Sequence, residues 1–237
     1  MAAHADGAAL HRPGLLRARD LLVGYGGTPV CAPVTAELLP GRALAVVGAN
    51  GAGKSTLLRT LAGLLPPVAG TVDFEGRPVD ERQADFRRSV AAVLDDDAFF
   101  AAVTGREHLL LTARGHGVAD ADDVVAAEVV AFGLSERIDA IPSTLSSGQR
   151  RRLALASVFV RPARLLVLDE PERRLDPGMR GRLARRLADH RDGGTAVLFA
   201  SHDPDLVRAV ADDVLTVDEE ACTLLDAQAG SAYLGAL

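Results

Sequence analysis

The 237-residue sequence predicts an α/β protein: a mostly parallel sheet with helices on its faces, interrupted by an all-helical insertion. Three observations carry this expectation. Short apolar runs alternate with segments of helical spacing, the pattern of parallel strands joined by crossover helices. The runs at 43–47 and 165–168 contain no polar residue, as strands covered on both faces require. Between 104 and 160 the alternation stops and helical spacing takes over, which places a subdomain between the third and later core strands.

In chain order, residues 1–14 are small and polar and predict a flexible tail. Strands at 15–23 and 34–39 are separated by the turn-rich Gly24-Tyr25-Gly26-Gly27-Thr28-Pro29. The strand 43–47 ends at glycine, and 55–64 then carries Leu57, Leu58 and Leu61 on one helix face. Strands follow at 71–74 and 90–94. The helical stretch is broken at Gly115-His116-Gly117 and at Ile141-Pro142. After it come a strand at 165–168, an arginine-studded helix at 176–191, a strand at 195–200 and a helix at 204–211. Two short strands near 214–217 and 222–225 end the chain.

Composition narrows the class. Hydrophobic residues at 48% and charged residues at 24% supply a core and exclude disorder. A net charge of −6 argues against a dedicated nucleic-acid surface, so no nucleic-acid partner is expected. Cys31 and Cys222 are too few for a disulfide framework. No apolar run approaches the ~18 residues that span a bilayer, and residues 1–14 lack the apolar segment of a signal peptide. The chain holds 25 arginines and one lysine, Lys54. Under such a bias the surviving lysine marks a place where arginine cannot serve.

Its neighbours show which place. Gly48-Ala49-Asn50-Gly51-Ala52-Gly53-Lys54-Ser55-Thr56 matches G-x-x-x-x-G-K-[ST], after an apolar strand and before a helix. Glycines let successive N–H groups face one anion, and the helix N-terminus adds its positive end. Lys54 can reach phosphate oxygens as a point charge, which a planar guanidinium does not imitate. Ser55 can offer a hydroxyl to Mg²⁺. Leu165-Leu166-Val167-Leu168-Asp169-Glu170 then delivers two carboxylates at the C-terminal end of a buried strand, where open α/β sheets bind ligands. Asp169 is placed to hold Mg²⁺, and Glu170 to polarise an attacking water. A strand that simply ends in solvated acids has the same pattern. The phosphate loop beside it favours the catalytic reading.

With these motifs in hand the chain resembles the ATP-binding cassette family, the nucleotide-binding subunits of ABC transporters. Leu145-Ser146-Ser147-Gly148-Gln149 is similar to the family signature LSGGQ and lies shortly before the acidic strand. Pro171 follows Glu170 as in the family's D-E-P, Leu175-Asp176 fits the D-loop, and Ser201-His202 fits the switch histidine. Tyr25 fits the aromatic that stacks on adenine. The resemblance implies a P-loop NTPase core with an N-terminal antiparallel β portion and a helical subdomain at roughly 97–160, within one ATP-binding domain at 15–237. It also implies a second cassette, packed head to tail, whose signature residues (Ser146, Ser147, Gly148 and Gln149) meet the ATP held by the first cassette's phosphate loop. His202 would contact the γ-phosphate and Glu170 would orient water. The motion would pass to a membrane-spanning permease subunit, placing the chain in the cytoplasm, peripheral at the inner face of the membrane.

Three positions depart from the family pattern. Asp95, in the run Asp95-Asp96-Asp97, stands where glutamine is usual, either as a solvated loop or as a substitute metal-facing carboxylate. Ser147 replaces the signature's first glycine. Glu172-Arg173-Arg174 follows D-E-P where a small hydroxyl residue is usual, and these charges are expected at the dimer surface. The expected job is the ATP-hydrolysing subunit of a transporter, of exporter type. The alternative is a soluble or regulatory cassette with weak or no hydrolysis.

Overall fold

The computed structural model describes residues 14–94 and 98–236. Most of the expected tail and the Asp95-Asp96-Asp97 run lie outside the described residues. β1 (Leu16–Leu22) is followed by a small hairpin, β2 (Gly24–Tyr25) and β3 (Thr28–Pro29), and then by β4 (Val34–Leu38). β5 (Ala43–Val47) leads into α1 (Lys54–Leu61). β6 (Ala69–Phe74) and β7 (Arg77–Pro78) complete a four-stranded antiparallel sheet in the order β4-β1-β6-β7. α2 (Ala84–Ser89) and β8 (Val90–Val93) precede three helices that pack on one another, α3 (Gly105–Gly115), α4 (Ala121–Ala131) and α5 (Ser147–Phe159). The chain ends with β9 (Leu165–Asp169), α6 (Pro177–Asp192), β10 (Ala196–Ala200), α7 (Pro204–Val210), β11 (Asp213–Thr216), β12 (Thr223–Asp226) and α8 (Ala227–Ala236).

The main sheet has the order β12-β11-β5-β10-β9-β8, parallel throughout except for β12. Side chains alternate between its faces, and the two faces feed separate cores. Ala43, Ala45 and Val47 of β5 join Leu166 and Leu168 of β9 in the core under the helical region. Leu44 and Val46 join Leu165, Val167 and the α1 leucines in the core under the antiparallel sheet. β5, β9 and β10 are therefore buried at every position, which explains their unbroken apolar sequences.

Helix starts follow local chemistry. Thr104 and Glu107 form a capping box at α3, and Ser146 and Gln149 form another at α5. Asp176 and Asp203 cap α6 and α7, each with proline at the first helical position. Sequence spacing misses α2 and α8. α2 buries only Phe86, so it shows no apolar face. α8 is built of small residues without a helical stripe, and it lies against β11 because Gly230 has no side chain. A Cβ there would come within 2.4 Å of Val214. Among the described residues no helix is long and apolar enough to cross a membrane.

An ion pair ties the helical region to α6. Arg186 of α6 meets the buried carboxylate of Glu128 on α4. Its guanidinium also lies 5.9 Å from the ring centre of Phe132 and 5.0 Å from that of Phe159. Removing the cation alone would strand a buried carboxylate. Arg186→Ala is expected to lower unfolding free energy by about 3 kcal/mol, the lower end for a broken buried pair because Arg186 is partly exposed. Urea denaturation checks this, and adding Glu128→Gln to the same variant should restore part of the loss.

Candidate functional site

Because β5, β10 and β9 are adjacent and parallel, their C-terminal ends open on one edge of the sheet. Ala200 pairs with Val46 on one side and Asp169 on the other. The loops that leave these strands carry Lys54, His202 and Glu170, and the register brings them to one level.

The phosphate loop begins at Gly48, where a Cβ would lie 2.4 Å from the Val217 carbonyl oxygen. Glycine is the residue that permits this approach. Lys54, 6% exposed, curls back so that Nζ donates to the carbonyls of Gly48 and Ala49, both at 2.9 Å. Burial lowers its pKa, and the charges of Glu170 and Asp169 oppose that shift. A lysine whose partners are two neutral carbonyls keeps its charge available for phosphate oxygens.

Asp169 is the last, buried residue of β9. Glu170 enters the left-handed backbone region at φ 43°, a strained setting for glutamate. Two contacts hold it there. Its N–H donates to the Ala200 carbonyl at 3.0 Å, and Arg151 donates from one guanidinium nitrogen to the carbonyls of Asp169 and Glu170. His202 Nε2 lies 3.5 Å from Glu170 Oε1, and Arg173 lies 3.6 Å from Oε2. Burial lowers the His202 pKa, the Lys54 charge adds to the effect and Glu170 opposes it. The balance favours the neutral ring, which offers one N–H.

The structure thus brings together Lys54, Asp169, Glu170 and His202 from distant parts of the chain. Ala49, Asn50, Gly51 and Ala52 form the rest of the loop, and Ser55 and Thr56 lie in the first turn of α1. Tyr25 is exposed on the β2–β3 hairpin, whose base, Val30, packs against Gly53. The signature residues lie elsewhere. Ser146 Oγ accepts from the Gln149 N–H at 3.2 Å, and Gln149 Oε1 accepts from the Ser146 N–H at 2.9 Å. Ser147 and Gly148 open α5 with their amides at its N-terminus. Ser55, in the first turn of α1, and Asp169, at the end of β9, are hard oxygen donors of the kind Mg²⁺ prefers, so the donor set fits that ion.

One expectation is corrected. Glu172 does not stand at the surface with Arg173 and Arg174. It is buried, and one oxygen accepts from Ser201 Oγ at 2.6 Å and from the His202 N–H at 3.1 Å. The loop turns it inward, while Arg173 stays exposed. A second residue, Arg151, was missed by sequence reasoning. No periodic signal singled it out: Arg152 is equally in step with the buried Leu155, Ala156 and Phe159 of α5.

Comparison with known proteins now bears on the chemistry. The family described as ABC transporter matches residues 31–173. The chain belongs to the ABC transporter family. It is 37% identical over 209 residues to the cytochrome c biogenesis ATP-binding export protein CcmA of Bordetella parapertussis, covering 88% of this chain and 92% of that protein. It is 39% identical over 186 residues to the thiamine import ATP-binding protein ThiQ of Rhizobium meliloti, covering 75% of each. A solved dimeric ATP-binding cassette in a post-hydrolysis state with ADP and phosphate superposes with a TM-score of 0.79 at 16% identity, covering 90% of this chain and 98% of that one. The cassette is an ATP-binding transporter subunit and an ATPase.

Two outcomes follow. Lys54→Ala should weaken ATP binding at least tenfold while the melting temperature stays within a few degrees, because the lysine's bonds go to the loop and not to core packing. Fluorescent-nucleotide titration and thermal melting check both. Arg151→Met should lower stability by about 1–3 kcal/mol, since the carbonyls of Asp169 and Glu170 lose a charged donor. It should also slow hydrolysis more than it weakens ATP binding, which steady-state kinetics beside the same titration will show.

Proposed function

We propose that this cassette hydrolyses ATP to energise transport through a separate membrane-spanning permease subunit, acting with a second cassette. The observation that carries the reading is the convergence of Lys54, Glu170 and His202 at the ends of three adjacent strands. Lys54 exchanges its two carbonyl partners for phosphate oxygens, beside the amides of residues 48–56. His202 donates its N–H to the γ-phosphate. Glu170 orients water toward the γ-phosphorus and takes its proton, while the bond to the departing ADP breaks. Mg²⁺ held by Ser55 and Asp169 would neutralise charge on the phosphate oxygens. Tyr25 stacks on the adenine.

The second cassette would present Ser146, Ser147, Gly148 and Gln149 to this nucleotide. The α5 N-terminus suits an anion because its first amides are aimed outward along the helix dipole. The dimeric solved cassette supports the pairing. We favour export, since the export relative matches over a larger share of both chains than the import relative. The domain runs from 15 to 237, with a helical subdomain at roughly 97–160. It sits in the cytoplasm, held at the inner membrane face by its permease. The inward turn of Glu172 removes one charge from the pairing surface and weakens the case for a non-hydrolysing regulatory cassette.

Glu170→Gln tests the reading. It keeps shape and hydrogen bonding but removes the negative charge. Hydrolysis should fall at least a hundredfold, with ATP affinity within about threefold. In the presence of ATP and Mg²⁺ the variant should elute as a dimer on size exclusion, and EDTA should return it to monomer. Unchanged turnover would remove Glu170 from the chemistry. Co-expression with its permease should bring the chain into the membrane fraction, whereas the chain expressed alone should stay out of it.

A further inference from the structure

We propose that Glu172 is a positioning residue for hydrolysis: it locks the loop after β10 to the loop after β9, so that the His202 ring faces Glu170. The inference rests on the roles of His202 and Glu170 given above. Glu170 and His202 leave neighbouring strands on separate loops, and the sheet itself holds only the first residue of each, through the Glu170 N–H on the Ala200 carbonyl and the Ser201 N–H on the Val46 carbonyl. Glu172 connects them. Its side chain is 6% exposed, and one carboxylate oxygen accepts from both Ser201 Oγ and the His202 N–H. Ser201 Oγ in turn accepts from the Asp203 N–H at 3.0 Å, and Asp203 caps α7. Two consecutive residues of the His202 loop thus bond to a single carboxyl, and Asp203 joins them through the Ser201 hydroxyl. Across the same gap His202 Nε2 stands 3.5 Å from Glu170 Oε1.

The arrangement is energetically demanding. The second Glu172 oxygen is buried and, among the described residues, makes no hydrogen bond. Burying an acid in this way opposes folding. Burial raises the Glu172 pKa, the Ser201 bond works against that, and the Asp203 charge adds to the rise. A group that disfavours folding yet holds the backbone beside a catalytic histidine is explained by geometry at that histidine. Glutamine copies the shape and the accepting oxygen, so it separates the bonds from the charge.

The test is single-turnover ATP hydrolysis and ATP affinity on the full chain for Glu172→Ala, Glu172→Gln, His202→Ala and the Glu172→Ala/His202→Ala double variant. Glu172→Ala should slow hydrolysis tenfold or more with ATP affinity within threefold. Glu172→Gln should stay within threefold of the parent rate. The double variant should be no slower than His202→Ala alone, because a residue that acts through His202 has nothing to position once the ring is gone. The proposal is overturned by a Glu172→Ala rate near that of the parent, by a Glu172→Gln variant as slow as Glu172→Ala, or by a further tenfold loss in the double variant. If Glu172→Ala does not fold, Glu172→Gln decides: the parent rate and unshifted His202 imidazole resonances support the proposal, and a tenfold loss overturns it. His202→Ala as fast as the parent would remove the histidine's own role and this inference together. A slow His202→Ala beside an unaffected Glu172→Ala removes this inference alone.

Discussion

The parallel register of β5, β10 and β9 is the constraint on which the site depends. Each strand ends at the same edge, so segments far apart in sequence deliver a cation, an imidazole and two carboxylates to one place. None of these groups is comfortable alone. Lys54 is buried, Asp169 is buried, and Glu170 sits in a strained backbone region. Together they moderate one another: the carboxylates favour the charged lysine, and the lysine's field helps keep His202 neutral.

The arginine-rich composition has a structural use that complements the single lysine. Arginine after arginine holds backbone carbonyls at the ends of elements. Arg151 reaches Asp169 and Glu170, Arg152 reaches Phe132 and Gly133, and Arg191 reaches Val210. Arg161 donates to Arg87, Arg88 and Val90. Burial lowers its pKa to about 10, which leaves it charged at neutral pH. A planar fork with five donors can meet carbonyls of successive residues at once. Lysine offers a compact charge instead, suited to a phosphate.

Two links connect the helical region to the chemistry. Arg151, two residues beyond the signature, grips the backbone that carries the acid pair. Gly148 lies beneath the Arg174 carbonyl, where a Cβ would approach to 3.0 Å. Both contacts join α5 to the end of β9 and the loop that follows it. On the other side, Arg186 and Glu128 anchor α4 to α6, which begins at the end of that same loop.

The sequence by itself determined the parallel core, the phosphate loop and the acidic strand end. Each is a local pattern: an unbroken apolar run, a glycine spacing before a helix, two acids after a buried strand. The capping box that sets the signature at a helix start is as local, four consecutive residues, though it was recognised only in the structure. The sequence did not reveal α8, whose packing on β11 depends on the space left at Gly230 and not on any periodicity. It assigned Glu172 to the dimer surface, with Arg173 and Arg174, since the segment after D-E-P lies there in the family it resembles. Only the tertiary structure, by setting β10 beside β9, supplied the hydroxyl and amide that let that carboxyl turn inward. Contacts between residues 29 and 30 apart in the chain follow from strand order, and strand order is a property of the packed sheet rather than of any segment within it.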